Sequence, residues 1–350
     1  MTTSAQTRTP DFEQFLHVLR RDKPPTHLPF YEHIASGGFT SERTGIDWTR
    51  LDWQQQDAWR VYTDFWLDMG FDGVPIEIPP ELPVEIHEER TSQVSQGSEA
   101  FVSIRTMEDF ERYPWPDPDT AVDLGHYERA AACLPDGAKL VAGVCAGPYE
   151  WASRLLGVEG LSTALYLQPE LVRAVFDKID AIHTTALRQI AAMEAVGACR
   201  QGDDLGFKTS TFLSPDHLRQ YVFPIYKKMT AIAHQAGKPF ILHSCGNLAE
   251  VYEDLIEDCG IDAKHSFEDV IMPVTAFKEQ YGHRVTPLGG LDVDFICRAD
   301  EASLRRYVRE TAEICFADGF WALGTGNSLT DYMPVANYLI VLDEASKITP

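Results

Sequence analysis

The feature that most constrains the fold is a regular alternation of strand-like and helix-like segments. Short apolar runs are followed repeatedly by stretches whose apolar residues recur at helical spacing. Eight strand-like segments are found, at residues 26–34, 72–78, 139–145, 199–204, 239–244, 261–267, 284–290 and 320–326. Such alternation requires a parallel sheet, and eight units in 350 residues predict a (β/α)8 (TIM) barrel rather than an open doubly wound sheet.

The clearest helix is predicted between the fourth and fifth strands. Ser214 is suited to the N-cap and Pro215 to the first helical position, and Gly237 marks the end. Pro224 lies inside this stretch and is expected to kink the helix, because it lacks an N–H group and its ring collides with the preceding turn.

The predicted domain organisation is simple. Residues 1–25 are expected to form an N-terminal arm and residues 26–350 a single barrel, with a long insertion at about 79–125. Within it, residues 92–106 resemble a hairpin that turns at Gly97. Insertions of this length often shape a substrate site, and a purely decorative excursion is the alternative.

Charge and the N-terminal sequence narrow the function classes. Fifty-three acidic against thirty basic residues give a net charge of −23, which argues against nucleic acid and anionic membranes as partners. The first residues contain no apolar signal core, and seven cysteines indicate reduced thiols. We expect a cytoplasmic protein acting on a small molecule, with a homodimer as an open possibility.

In a barrel of this kind, chemistry collects at the carboxyl ends of the strands. The titratable and polar groups at these ends are Glu32, His33, Glu77, Cys145, Asp203, Asp204, His243, Cys245, His265, Glu268, Asp292 and the segment 324–328.

His243 and Cys245 form the sharpest motif at these strand ends. They stand two residues apart at the end of one strand, so their side chains share a face. Imidazole and thiolate together suit zinc. The alternative is a core thiol beside a hydrogen-bonded histidine, because H-x-C spacings also arise by chance.

The stretch "HSCGN" at 243–247 has "SPDHLRQYVFPIYKKM" before it and "LGGLDV" and "GTGNS" after it. In these motifs the chain resembles the uroporphyrinogen decarboxylase superfamily over roughly residues 26–345. It is more similar to the zinc-dependent methyltransferase branch than to the decarboxylase. That branch includes methylcobamide:coenzyme M methyltransferases and corrinoid-linked O-demethylases, with cobalamin-independent methionine synthase as a more distant relative.

The resemblance implies a zinc ion held by His243 and Cys245, with Glu268 as the third protein ligand. The methyltransferases take a further cysteine from the end of the eighth strand, where this chain has Thr325. Asp203, Cys145, a water molecule or the substrate remain as alternatives for completing the metal sphere.

The positions of other residues at the strand ends suggest further roles at the barrel mouth. Asp203, Asp204 and Glu268 are expected to act in catalysis, although a capping role for the Asp203–Asp204 pair has equal weight. The residues expected to contact substrate are Tyr31, Glu77, Cys145, Asp292, Thr325 and Asn327. The glycines of "LGGLDV" and "GTGNS" are expected to adopt positive φ or to approach a ligand closely. Gly289 and Gly290 are expected to line the cavity, with Asp292 facing it.

The function implied is zinc-dependent transfer of a methyl group between a small molecule and a corrinoid, which is either free or carried by a corrinoid protein. The alternatives are a metal-free decarboxylase of the uroporphyrinogen type and a non-catalytic descendant of the fold. The decarboxylase needs an arginine-rich segment after the first strand, and this chain has only Arg43 there.

Overall fold

A computed structural model describes residues 8–84 and 102–349. Its centre is a sheet of six parallel strands, each hydrogen-bonded to the next in chain order. The strands are β1 (Gly73–Ile78), β2 (Lys139–Val144), β3 (Val196–Gly202), β4 (Phe240–His243), β5 (Ala263–His265) and β6 (Thr286–Leu288).

The two remaining predicted strands extend the sheet beyond β6 with isolated bridges rather than ladders. Leu288 of β6 bridges Ala322, and Leu323 bridges Phe30, both in the parallel sense. Pro29 in the first segment has no N–H group to contribute, although its carbonyl accepts from the Leu323 N–H at 2.9 Å. The order of the strands therefore confirms the predicted (β/α)8 fold, with the first and eighth positions reduced to bridges.

Helices cover the outside of the barrel and connect its strands. They are α1 (Phe12–Arg20), α2 (Gly37–Thr44), α3 (Gln56–Leu67), α4 (Met107–Arg112), α5 (Gly125–Ala131), α6 (Pro148–Leu156), α7 (Val158–Leu167), α8 (Pro169–Ala192), α9 (Pro215–His217), α10 (Phe223–Gln235), α11 (Val274–Tyr281), α12 (Val293–Arg298), α13 (Glu301–Cys315) and α14 (Val335–Ala345).

The predicted irregularity at Pro224 takes the form of a widened helical turn. Ser214 caps the start of α9 by accepting the His217 N–H, and a π-helical turn then spans Leu218–Val222 before α10 begins. The wider turn lies directly before the proline, which cannot donate a hydrogen bond to the turn that precedes it.

Helix α1 closes the amino-terminal end of the barrel. Its Phe12, Phe15 and Val18 pack with inward-facing residues of the strands, among them Val141 and Ile241. The described part of the predicted N-terminal arm therefore contributes to the barrel core, and it leaves the opposite end free for a site.

The predicted insertion is described only at its two ends. Residues 79–84 and 102–124 precede α5 and contain α4, whereas the predicted turn of the hairpin at Gly97 lies outside the described residues. Within the part of the chain that the structure describes, none of the helices has the length and apolar character needed to cross a bilayer.

Candidate metal centre

Three potential metal ligands converge at the carboxyl ends of β3 and β4. The Cys245 Sγ atom lies 3.5 Å from His243 Nε2. Asp204 Oδ1 lies 3.8 Å from the same nitrogen and accepts the Cys245 backbone N–H at 3.2 Å. One ligand atom from each residue lies within 4.8 Å of the other two. The Asp204 side chain is 49% exposed, so the cluster is accessible from the barrel mouth.

A chain of hydrogen bonds determines which nitrogen of His243 faces this cluster. His265 Nε2 lies 3.1 Å from the carbonyl oxygen of Thr325, which can only accept, so this nitrogen carries the proton. In a neutral ring His265 Nδ1 is then an acceptor, and His243 Nδ1 donates to it at 2.7 Å. His243 Nε2 is left without a proton, and its lone pair faces the Cys245 sulfur and the Asp204 carboxylate.

Both rings are neutral in this arrangement. Burial lowers the pKa of His265 to about 3 and holds the pKa of His243 well below its usual value. A neutral imidazole whose second nitrogen donates a hydrogen bond is the usual form of a metal-ligating histidine. The pair therefore fits a ligand and the residue that orients it.

A buried arginine supports the other side of His243. The rings of His33 and His243 are stacked, with centroids 3.7 Å apart. Arg200 donates from Nη2 to His33 Nδ1 at 2.9 Å and from Nη1 to the His33 carbonyl oxygen at 2.7 Å. Its Nε donates to Glu77 Oε1 at 2.8 Å. Glu77, which we predicted to bind substrate, is thus held in an ion pair inside the barrel.

A second group of possible ligands consists of His33, His243 and His265. It suits a cation less well, because the Nδ1 atoms of His243 and His265 are hydrogen-bonded to each other and His33 Nδ1 accepts from Arg200. The positive charge of Arg200 also disfavours a further positive charge on or beside these three rings. The cluster with Asp204 supplies a carboxylate and a thiol to balance a metal.

Two polar side chains contact the sulfur of Cys245. Asn327 donates from Nδ2 at 3.3 Å, and Ser266 Oγ lies 3.4 Å away. Ser266 has a φ of 84°, unusual for a residue with a side chain, and Lys264 donates from Nζ to its carbonyl oxygen. Burial raises the pKa of the Cys245 thiol to about 12, so ionisation at neutral pH requires a cation beside the sulfur.

Asp203 has a structural role in the described fold. It follows β3 directly and is fully buried. Its carboxylate accepts the backbone N–H groups of Tyr149 and Glu150 at 3.0 and 2.9 Å, and the Tyr226 hydroxyl at 2.7 Å. It anchors the start of α6, as the capping alternative expects.

Neither Glu268 nor Thr325 belongs to a cluster of possible metal ligands among the described residues. Glu268 is exposed in the loop after β5, whereas Asp204 lies in one of the two clusters. Thr325 is fully buried, with its hydroxyl donating to Glu32 Oε2 and its N–H to Glu32 Oε1, both at 2.6 Å. Its carbonyl oxygen instead orients His265.

The remaining predicted substrate contacts are dispersed. Tyr31 is buried inside the barrel and stacks on Phe15 of α1, with ring centroids 5.9 Å apart. Asp292 caps α12 by accepting the Phe295 N–H at 2.6 Å. Cys145 is partly buried at the end of β2, and burial raises the pKa of its thiol to about 11. Of the six residues, Asn327 alone has a described contact with a residue of the Asp204 cluster.

The predicted positive φ is confirmed at Gly289 and Gly290, whose φ values are 67° and 106°, and is wrong at Gly324 and Gly326, which lack it. A side chain on Gly289 would also meet His265 Nε2 at 3.0 Å, so this turn borders the histidine pair. Gly290 instead faces Val274. The turn is therefore required partly by the site and partly by the packing of α11.

Sequence reasoning gave no role to several residues that build the site. His33 and His265 were noted as polar strand ends, but their partners are fixed only by the closed barrel. Nothing in the sequence indicates a role for Ser266. A role for Arg200 could have been predicted, because an arginine inside a buried strand must face an acidic or polar interior.

Comparison with known proteins gives the same assignment at the level of fold and family. The model of the family described as uroporphyrinogen decarboxylase (URO-D) matches residues 40–348. The fold is similar to that of a methyltransferase from Methanosarcina mazei, with TM-score 0.65, 17% sequence identity, and coverage of 95% of this chain and 97% of that one.

Two glycoside-hydrolase structures match more weakly. An intracellular xylanase from Thermoanaerobacterium saccharolyticum has TM-score 0.43 and 12% identity, covering 96% of this chain and 99% of its own. A GH5_18 protein from Streptomyces cattleya has TM-score 0.45 and 11% identity, covering 93% and 82%. No curated protein matched.

The fold and the strand-end residues define a parallel barrel enzyme with its polar site at the carboxyl ends of the strands. The chain belongs to the uroporphyrinogen decarboxylase family.

Proposed function

We propose that this protein is a zinc-dependent methyltransferase whose metal ligands are Asp204, His243 and Cys245. The observation that carries the proposal is the unprotonated Nε2 atom of His243, which faces a thiol and a carboxylate at the open end of the barrel. Three protein ligands of nitrogen, sulfur and oxygen type with an accessible fourth position are typical of catalytic zinc sites.

Zinc bound there would supply Lewis acidity, which lowers the pKa of a bound thiol or polarises an ether oxygen at neutral pH. The protein's own residues prepare the site for this. His265 holds the His243 ring in position, and Asn327 donates a hydrogen bond to the Cys245 sulfur. The Asp204 carboxylate offsets positive charge, and its exposed side leaves room for a small substrate.

We propose a corrinoid as the other methyl carrier, free or bound to a corrinoid protein, because the H-x-C motif resembles the methyltransferase branch of the family. The decarboxylase alternative is supported by the family's name. Against it, two buried basic side chains beside the site are already engaged. Arg200 donates to Glu77 and His33, and Lys264 donates to the Ser266 carbonyl oxygen.

The test combines metal content with activity. We expect about one zinc per chain in the wild type, and loss of stoichiometric zinc in Cys245→Ser. Cys297→Ser is the matched control, because this partly buried thiol lies on α12 and belongs to neither ligand cluster. Full zinc occupancy in Cys245→Ser would refute the ligand assignment.

Methyl transfer is followed by corrinoid absorbance, with methylcobalamin and a small thiol or with reduced corrinoid and a methoxylated compound. The expected result is turnover that a chelator abolishes and added zinc restores. Chelator-resistant release of carbon dioxide from uroporphyrinogen would replace the proposal with the decarboxylase.

A further inference from the structure

A cavity of about 430 Å³ lies beside the barrel, bordered by α3, the end of β1 and the start of α5. On β1, Glu77 turns inward to Arg200, so Ile76 and Ile78 on either side of it face outward and contribute to the cavity wall. None of the three proposed zinc ligands lines this cavity. It is therefore a feature distinct from the metal centre.

Three aromatic rings form one side of the cavity. The centroids of Trp53 and Trp59 are 5.3 Å apart, those of Trp59 and Tyr62 5.5 Å, and those of Trp53 and Tyr62 6.1 Å, with interplanar angles of 62° to 82°. Trp59 Nε1 donates a hydrogen bond to the Trp53 carbonyl oxygen, and the Tyr62 hydroxyl donates one to the Pro75 carbonyl oxygen. Because both donors are used, these two rings contribute no hydrogen-bond donor to the cavity, and Trp53 is the more exposed of the two tryptophans.

The charged residues around the cavity are acidic. Glu77, Glu81 and Asp123 line it, and no lysine or arginine occurs among the described lining residues. Arg200 neutralises Glu77, and Asp123 is shared with His126 and Arg129. Within residues 8–84 and 102–349, no basic side chain lies within ion-pair distance of Glu81. In a chain of net charge −23, this surface attracts cations and repels anions.

We propose that this cavity binds a small organic cation with a methylated ammonium group. Such a group is apolar at its surface and positively charged, so it satisfies aromatic faces and a nearby carboxylate together. A neutral ligand of the same shape would gain only the apolar contact. The proposal does not depend on zinc or on methyl transfer.

The probe is choline, compared by calorimetry with its uncharged isostere 3,3-dimethylbutan-1-ol. We expect choline to bind at least about tenfold more tightly, which is the range of a cation–π contact combined with a carboxylate. Equal affinities, or no choline binding up to tens of millimolar, would overturn the proposal.

Variants locate the site. Trp53 is partly exposed, so Trp53→Leu is expected to weaken choline about tenfold while Trp53→Phe weakens it less. Trp115→Leu removes a partly buried tryptophan outside the cavity and should leave the affinity unchanged, as should His243→Ala at the metal centre. Unaltered choline binding in Trp53→Leu, or loss of binding in His243→Ala, would place the cation elsewhere and contradict the proposal.

Discussion

At the scale of single residues, His265 matters as much as the proposed ligands. It accepts a hydrogen bond from His243 Nδ1 and donates one to the Thr325 carbonyl oxygen, and it thereby keeps His243 Nε2 unprotonated. Without His265, the His243 ring would lose both its orientation and its preferred tautomer.

We therefore predict that His265→Leu lowers zinc affinity about 10- to 100-fold, the range found for residues that orient a ligand. His265→Gln, which retains a donor and an acceptor, should recover part of the loss. Competition with a chromophoric chelator measures both variants. If folded His265→Leu protein bound zinc as tightly as the wild type, the proposed role of this hydrogen-bond chain would be wrong.

A second prediction concerns the sulfur of Cys245. The Asn327 amide donates to it at 3.3 Å, and a donor at a thiolate stabilises its lone pairs. In cobalt-substituted protein, Asn327→Ala should move the sulfur-to-cobalt charge-transfer band to lower energy. Asn247→Ala is the control, because Asn247 lies two residues from Cys245 but its side chain accepts from the Ala249 N–H. Identical spectra for all three proteins would rule out a contact with the ligand.

The sequence was sufficient to predict that His243 and Cys245 lie together, because residues two apart share a face at a strand end. It was not sufficient to predict that Asp204 joins them. Asp204 was predicted as catalytic and Glu268 as the third zinc ligand, and which loop side chain reaches the pair depends on loop conformations that have no local pattern in the sequence. The conformation after β5, where Ser266 has a φ of 84°, leaves Glu268 in solvent.

At the scale of secondary-structure elements, the contact between α1 and β3 shows how the amino-terminal end of the barrel is filled. A Cβ atom on Gly197 would lie 2.1 Å from the Phe12 ring, and one on Gly73 would lie 2.8 Å from it. The strands therefore carry glycine where the ring enters. Residues so far apart in sequence have no local pattern that links them, so the alternation predicted the strands but not this plug.

Gly197→Ala is predicted to destabilise the fold by about 1–3 kcal/mol, because the Phe12 ring is buried and must shift. Gly160→Ala is the matched control. It lies in α7 with nothing within 4 Å of the added carbon, and alanine favours helix by about 1 kcal/mol. Denaturant unfolding measures both. Equal stability of the two variants would show that α1 does not pack against β3 as described.

At the scale of the whole molecule, Glu32 links the chain's first and last barrel segments. Its carboxylate accepts from the backbone and hydroxyl of Thr325 and from the Tyr338 hydroxyl of α14 at 2.9 Å. Burial raises the pKa of Glu32 to about 7, although these three donors oppose the rise. The contact between the first and last barrel segments therefore depends on a carboxyl group that binds its proton more tightly in the folded state than in the unfolded state.

The stability that this proton contributes is present below about pH 4.5, the ordinary value for glutamate, and is lost as the pH rises through about 7. Glu32→Gln retains the shape and cannot ionise. We predict that the unfolding free energy of the wild type falls relative to this variant by about 1–3 kcal/mol between pH 5 and pH 7.5. Denaturant unfolding across this pH range provides the test, and parallel curves for the two proteins would contradict it.

The most direct test of the central claim is zinc K-edge X-ray absorption of the zinc-loaded protein. A centre formed by Asp204, His243 and Cys245 predicts one sulfur at about 2.3 Å, one imidazole and two light atoms at about 2.0–2.2 Å. Cys245→Ser is expected to hold less zinc, and the zinc that binds it at high metal concentration should show no sulfur neighbour, whereas in Cys297→Ser the sulfur should remain. A zinc shell without sulfur in the wild type, or with sulfur retained in Cys245→Ser, would contradict the account.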